Sequence, residues 1–267
     1  MEKNKNTDLY FDSPSSKKQY WFAIKELTAR EIKRKYARSY LGIVWSILNP
    51  LLNMIVLSLI FSYMFRNSID YFPVYLITGQ TIFSLFSVGT NSAMTSIADN
   101  KTLIQRTRLP KQIFILSRIY TAFVNFTYTL IPLVAVVLFF RIKITWTIVL
   151  IIPDLVLLTG FIIGTSYVLA TMYVFFADIK HFYGIFITLL MYCSAIFYPA
   201  TRLPDFMRYI ISFNPVYLAI DIARHALIYG VVPYYTEWIK LFIASFIMLV
   251  LGYRIFSRTE NDMMMHL

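Results

Sequence analysis

Asp99–Lys111, DNKTLIQRTRLPK, is a short basic island between two long apolar runs. Lys101, Arg106, Arg108 and Lys111 stand against one acid, Asp99, and loops of this sign stay on the cytoplasmic side of a membrane. The island also holds Leu103 and Ile104, then Leu109-Pro110, where the proline ends one helix and can begin the next. A basic loop can serve only as an orientation signal. The apolar turn inside this one points further, to a small amphipathic helix offered to a partner.

The runs on either side set the class. Of 267 residues, 58% are hydrophobic and 15% charged, with mean hydropathy +0.61, well outside the soluble range. The chain is expected to be an all-α integral membrane protein. A formal charge of +11 would suggest nucleic acid in a soluble protein. Here the basic residues flank apolar spans, so anionic headgroups are the simpler partner and nucleic acid is not expected. Cys193 is the single cysteine, which excludes a disulfide framework within one chain. The polar N-terminus has no apolar core of a cleavable signal.

Residues 1–19 read as a flexible tail. From 20 to 38 a helical period puts Trp21, Ile24, Thr28 and Ile32 on one stripe and Arg30, Lys33, Arg34 and Arg38 opposite. Such a helix lies along the interface, its apolar stripe toward acyl chains; a basic tail without fixed structure is the alternative. Six spans follow, at about 41–65, 73–98, 113–140, 148–176, 182–198 and 238–256. The second carries Gln80, Ser84, Ser87, Asn91 and Thr95 on one face. That face could line a watery path or bond to neighbouring helices, the commoner use in bundles. Between 199 and 236, prolines cut the chain into apolar runs too short to cross, read as two re-entrant half-helices. Residues 258–267 form a second tail. Six spans put both termini on one side, which collects 18 of the 25 Lys and Arg residues and is therefore cytoplasmic.

Signals for chemistry are sparse. No phosphate-binding glycine loop is present, so this chain should not hydrolyse ATP by itself. His181, His225 and His266 lack metal-site spacing, and no catalytic, cofactor-binding or metal-ligating residue is expected. Asp154, after Pro153 near the outer end of the fourth span, is an intramembrane acid; a helix-capping role beside the proline is the plainer reading. Gly160 and Gly164 permit close helix approach, within the chain or between two chains.

Leu27, the run Arg30-Glu31-Ile32-Lys33-Arg34-Lys35-Tyr36, Ser39, Leu41-Gly42, Trp45 and Pro50 together resemble the start of the membrane subunit of type-2 ABC exporters. The resemblance is to the polysaccharide, O-antigen and teichoic acid branch, and covers about residues 20 to 260. Asn100-Lys101 through Leu109-Pro110 resembles that family's coupling helix, about 99–111. Asp178-Ile179 resembles the opening of its fifth span, although Ala177 stands where arginine is frequent. Phe197-Tyr198-Pro199, Leu203-Pro204 and Asn214-Pro215 resemble its extracellular re-entrant gate.

The resemblance implies a transport subunit of the bacterial cytoplasmic membrane that pairs with itself and with two copies of a separate ATPase. ATP and Mg would sit on that partner. A lipid-linked glycan would pass through the dimer. On this reading Asn100, Lys101, Leu103, Arg106, Arg108 and Lys111 dock the ATPase, while Arg30, Lys33 and Arg34 admit the substrate. Phe61, Tyr63, Phe65, Tyr183, Phe186, Tyr192, Phe197 and Tyr198 are candidates to line the channel, where ring faces could stack weakly on sugars. Two other classes share the spans: a type-2 exporter of a small amphiphile, and a membrane enzyme acting on lipid-linked sugars. The enzyme would need an acid-base constellation that is not found in the sequence.

Overall fold

The computed structural model describes residues 14–37, 41, 42, 44–65, 69, 71–107 and 109–263, with backbone alone at 14–17 and 62–65. The regular elements among them are helical: α1 (Pro14–Tyr36), α2 (Val44–Phe65), α3 (Phe72–Met94), α4 (Ser96–Asp99), α5 (Lys101–Arg106), α6 (Gln112–Phe139), α7 (Ile151–Phe175), α8 (Ile179–Tyr192), α9 (Asp205–Ile211), α10 (Pro215–Arg224) and α11 (Tyr235–Thr259). A short 3-10 turn, Trp146–Leu150, leads into α7, and a π-helical turn, His225–Tyr229, continues α10. The chain is an all-α integral membrane protein.

Helices α2, α3, α6, α7 with its leading turn, and α11 are long and apolar enough to span. Helix α3 is the hub. Some 72% of its residues are buried, against 11% of the apolar window of α2, because α6, α7, α8 and α10 all pack around α3 while α2 lies at the edge.

Several expectations need correction. The fifth span, expected over 182–198, is helical only to Tyr192. Its 14 residues reach roughly 21 Å at 1.5 Å each, short of the ~30 Å hydrocarbon core. The chain then turns through Ala195, whose φ of 47° few non-glycine residues adopt. Helix α1 starts at Pro14 rather than Tyr20, since proline suits the first helical turn; part of the expected tail is therefore helix. Its apolar stripe does not face lipid throughout. Ile24 and Thr28 are buried, Trp21 meets Tyr120 of α6 edge-on at 5.2 Å, and Thr28 Oγ1 donates to Ser117 O at 3.1 Å. Packing on α6 hides more of the stripe than an interfacial position would.

Close approach of α7 and α11 answers the question left by the glycine pair. A Cβ on Gly164 would lie 2.3 Å from Met248 O, and one on Gly252 would lie 2.2 Å from Gly164 O. The small residues are spent inside one chain. Asp154 is not an exposed cap: it is fully buried, and neither carboxylate oxygen has a hydrogen-bond partner among the described residues.

The segment expected as two similar half-helices is asymmetric. Helix α9 is largely exposed, whereas Val216, Leu218, Ala219, Ile220, Ile222 and Ala223 of α10 are buried. The turn between them reaches deep. Asn214 and Val216 line one cavity of about 540 Å³ with Phe161 and Thr165 in the middle of α7 and Met248 in the middle of α11. Asn214 seals this tip. Its Oδ1 accepts from Val216 N at 3.0 Å, an N-cap contact, and its Nδ2 donates to Cys193 O at 3.1 Å.

Candidate functional site

At the end of the bundle that carries the basic island, the sequence breaks α3 twice, at Thr95 and Asn100, so that α5 projects as a separate two-turn element. Lys101 and Arg106 are exposed on it, Leu103 is half-buried and Ile104 is buried. Arg108 lies outside the described residues. Asn100 and Lys111 do not present themselves to a partner. Asn100 is buried; its Nδ2 donates to Ser96 O at 2.8 Å and its Oδ1 accepts from Arg30 Nη2 of α1 at 2.5 Å. Lys111 is also buried and donates to Glu260 O, just past α11, with Glu260 Oε1 at 4.0 Å. Burial holds the Lys111 ammonium below the usual lysine range, while Glu260 pulls the other way.

These contacts form a frame. Arg118 of α6 bridges two acids, contacting Glu31 of α1 and reaching Asp99 Oδ2 of α4 at 2.9 Å. Thr95 Oγ1 also donates to Asp99 Oδ2 at 2.9 Å. The docking candidate is thus tied to α1 through Arg30, to α6 through Arg118, and to α11 through Lys111. Of the three expected substrate-admitting residues, Arg30 is committed to this frame. Lys33 and Arg34 remain exposed beside it.

From this end the polar face of α3 runs toward the other. Ser87, Asn91 and Thr95 line a groove of about 420 Å³ with Lys180. Gln80 and Ser84 line a second recess of about 300 Å³ with Asn49 and Asn53 of α2 and Phe197. Their hydrogen bonds correct the expected use of this face. Ser87 Oγ donates to Ser84 O at 3.4 Å and Asn91 Nδ2 to Ser87 O at 2.9 Å, both within α3, while Gln80 Oε1 is buried with no partner among the described residues. Ser87 and Asn91 thus bond back to their own helix rather than to a neighbouring one.

The candidate lining aromatics divide. Phe61 stacks on Phe197 at 6.2 Å, and Phe197 meets Tyr192 at 6.0 Å. Tyr198 OH donates to Tyr192 O. Phe186 and Tyr192 are more than half exposed. Tyr183 is buried, stacked on Phe186 at 6.0 Å with its hydroxyl donating to Thr90 Oγ1 at 2.6 Å, so it serves the packing of α8 on α3. The Tyr63 and Phe65 side chains lie outside the described residues.

At the far end the decisive group is one that sequence reading passed over. Arg224 is 1% exposed. Its guanidinium lies over the Tyr75 ring at 3.3 Å and donates to Tyr75 O at 3.1 and 3.3 Å, Ala195 O at 2.9 Å and Ile196 O at 3.1 Å. Planar geometry and weak hydration suit arginine to this stacking. Gly79 makes room, since a Cβ there would lie 2.6 Å from Arg224 Nη2. One cation therefore pins α10, α3 and the irregular chain after α8 together. The only sequence signal was a lone arginine inside an apolar run.

A family model described as ABC-2 type transporter matches residues 23–228, which takes in most of α1, the polar face of α3, Arg224 and the frame except Glu260. The chain belongs to the ABC-2 type transporter family. Among curated relatives of this ABC-2 chain, the O-antigen export system permease protein RfbA of Klebsiella pneumoniae is 30% identical over 240 residues, 88% of this chain and 90% of the relative. RfbA of Myxococcus xanthus is 29% identical over 187 residues, covering 70% and 72%. The polysialic acid transport protein KpsM of Escherichia coli is 22% identical over 258 residues, covering 90% and 95%. These relatives are named for export and transport.

Proposed function

We propose that this ABC-2 chain is the permease half of an ATP-driven exporter that moves a lipid-linked polysaccharide across the bacterial cytoplasmic membrane. The observation that carries this reading is the end-to-end similarity to O-antigen permeases, 88% of this chain against 90% of the relative. A separate ATPase, in two copies and holding ATP and Mg, docks on Lys101, Leu103, Arg106 and Arg108. The surface on which it would press is continuous with α5, and the frame then carries the push to α1, α6 and α11. Lys33 and Arg34, exposed beside the frame, meet the pyrophosphate of the lipid carrier. The glycan follows the polar face of α3 toward the rings of Phe61, Tyr192 and Phe197. Two copies of the chain enclose the path, and the mostly exposed apolar face of α2 is available for that pairing. The frame end, with both termini, is cytoplasmic.

Reconstitution tests this reading. The chain is co-expressed with a candidate ATPase subunit, placed in proteoliposomes and supplied with a fluorescent lipid-linked oligosaccharide. ATP-dependent appearance of the sugar on the far face is expected, together with stimulated hydrolysis. Stimulation by amphiphilic drugs but not by the glycan lipid would move the assignment to a small-amphiphile exporter.

A further inference from the structure

The turn that follows Arg224 brings together three side chains that are far apart or unremarked in sequence. One donor atom each from Asp221 of α10, His225 of the π-helical turn and Glu237 in the first turn of α11 lies within 4.8 Å of the others. His225 Nδ1 is 3.5 Å from Asp221 Oδ2 and 2.9 Å from Asp221 O, so the ring is held over the carboxylate. The rings of Tyr229 and Tyr234 flank the imidazole, at 5.6 and 6.3 Å. Asp221 and His225 stand one helical turn apart on the same face, so the end of α10 presents both together.

Two carboxylates held this close repel each other unless a cation or a shared proton joins them. The nearby cations are engaged elsewhere: Arg224 with its carbonyls, and Lys240 with Ser212 Oγ at 3.2 Å and the Phe213 ring at 4.7 Å. Among the described residues neither carboxylate is paired with lysine or arginine. A second observation points the same way: on the half-buried Glu237, the Oε2 atom is shielded from solvent and accepts from no donor among the described residues. The cluster is not sealed, since the His225 and Asp221 side chains keep 23% and 21% of their surface, enough for an ion to enter.

We propose that Asp221, His225 and Glu237 bind a divalent cation of the Zn2+ class, which staples α10, the returning arm of the α9–α10 hairpin, to the last span, α11. One imidazole and two carboxylates suit such a borderline ion and leave a fourth position to water. Tetrahedral bonds of about 2.0 Å place donors roughly 3.3 Å apart, so side-chain rotation of about 1 Å closes the site. The charge also balances, two carboxylates against one dication.

The test is independent of transport. Full-length protein without a polyhistidine tag is purified in detergent, stripped with chelator and titrated with Zn2+ against a chromophoric indicator. One saturable equivalent per chain is expected. His225→Gln and Glu237→Gln should each weaken it at least about tenfold, and His181→Gln should not. In wild-type protein, Zn2+ should also shield His225, but not the exposed His181, from diethylpyrocarbonate, as read by mass spectrometry; this arm needs no variant to fold. Absence of a saturable equivalent, undiminished affinity in both variants, unshielded His225, or preference for Mg2+ over Zn2+ would each overturn the assignment. In the first case a proton shared by the carboxylates would be what holds them together.

Discussion

The two ends of the bundle solve the same mechanical problem with opposite electrostatics. At the basic end, Arg30, Arg118 and Lys111 join α1, α4, α6 and α11 through partly exposed pairs with Asn100, Glu31, Asp99 and Glu260. At the hairpin end, a single buried arginine holds three segments by backbone carbonyls and an aromatic face. Pairs with at least one partner in reach of solvent are individually weaker, and exchange more readily with water, than fully buried ones. A buried cation that satisfies several carbonyls away from water is costly to disturb. The basic end is thus suited to move when pushed, and the hairpin end to stay closed until something stronger acts on it.

The sharpest break of this contrast is Arg224→Met. It removes the guanidinium donor from the carbonyls of Tyr75, Ala195 and Ile196, of which Ala195 O keeps the Tyr75 hydroxyl at 3.2 Å, and should cost on the order of 3 kcal/mol. A thermal melt in detergent measures it, and unchanged melting would remove the pin from the account.

Gly164→Val comes next, at about 1 to 3 kcal/mol, because its side chain meets the Met248 backbone. Gly184, with nothing within 4 Å of a built Cβ, is the control: Gly184→Val should shift stability by no more than about 0.5 kcal/mol.

Arg118→Gln should cost about 1 kcal/mol or less, yet it cuts the link between α6 and both acids. In proteoliposomes, hydrolysis should persist while export falls. Equal loss of both would mean that the frame only assembles the complex.

Charge reversal at Lys101 and Arg106 should leave the melt unmoved and abolish co-purification of the ATPase. Smallest of all, Lys33→Gln with Arg34→Gln should change neither melting nor ATPase binding. Only the export rate at limiting glycan lipid should fall, and an unaltered rate would free these residues from substrate admission.

Much of the basic end could be read from the chain. Exposed charge beside an apolar turn marks a surface element locally, and Lys101 and Arg106 do face outward. Asn100 and Lys111 belong to the same stretch but turn inward, since their partners Arg30 and Glu260 lie 70 and 149 residues away. The hairpin end was nearly silent. Asp221 and His225 stand four apart, the spacing of one helical face, but Glu237 joins them only because α11 packs on α10.

By itself, the sequence determined that this is an all-α membrane protein, where its long apolar helices begin and end to within a turn or two, and which end gathers the basic charge. Those properties follow from hydropathy, helical period and proline placement, which act over a few residues. Tertiary structure alone decided that α8 stops short, that Gly164 meets Gly252 within one chain, that α1 lies on α6, and that Arg224 is a pin. Each depends on which surfaces meet across the bundle, and a side chain's partner there is set by the packing of helices remote in sequence.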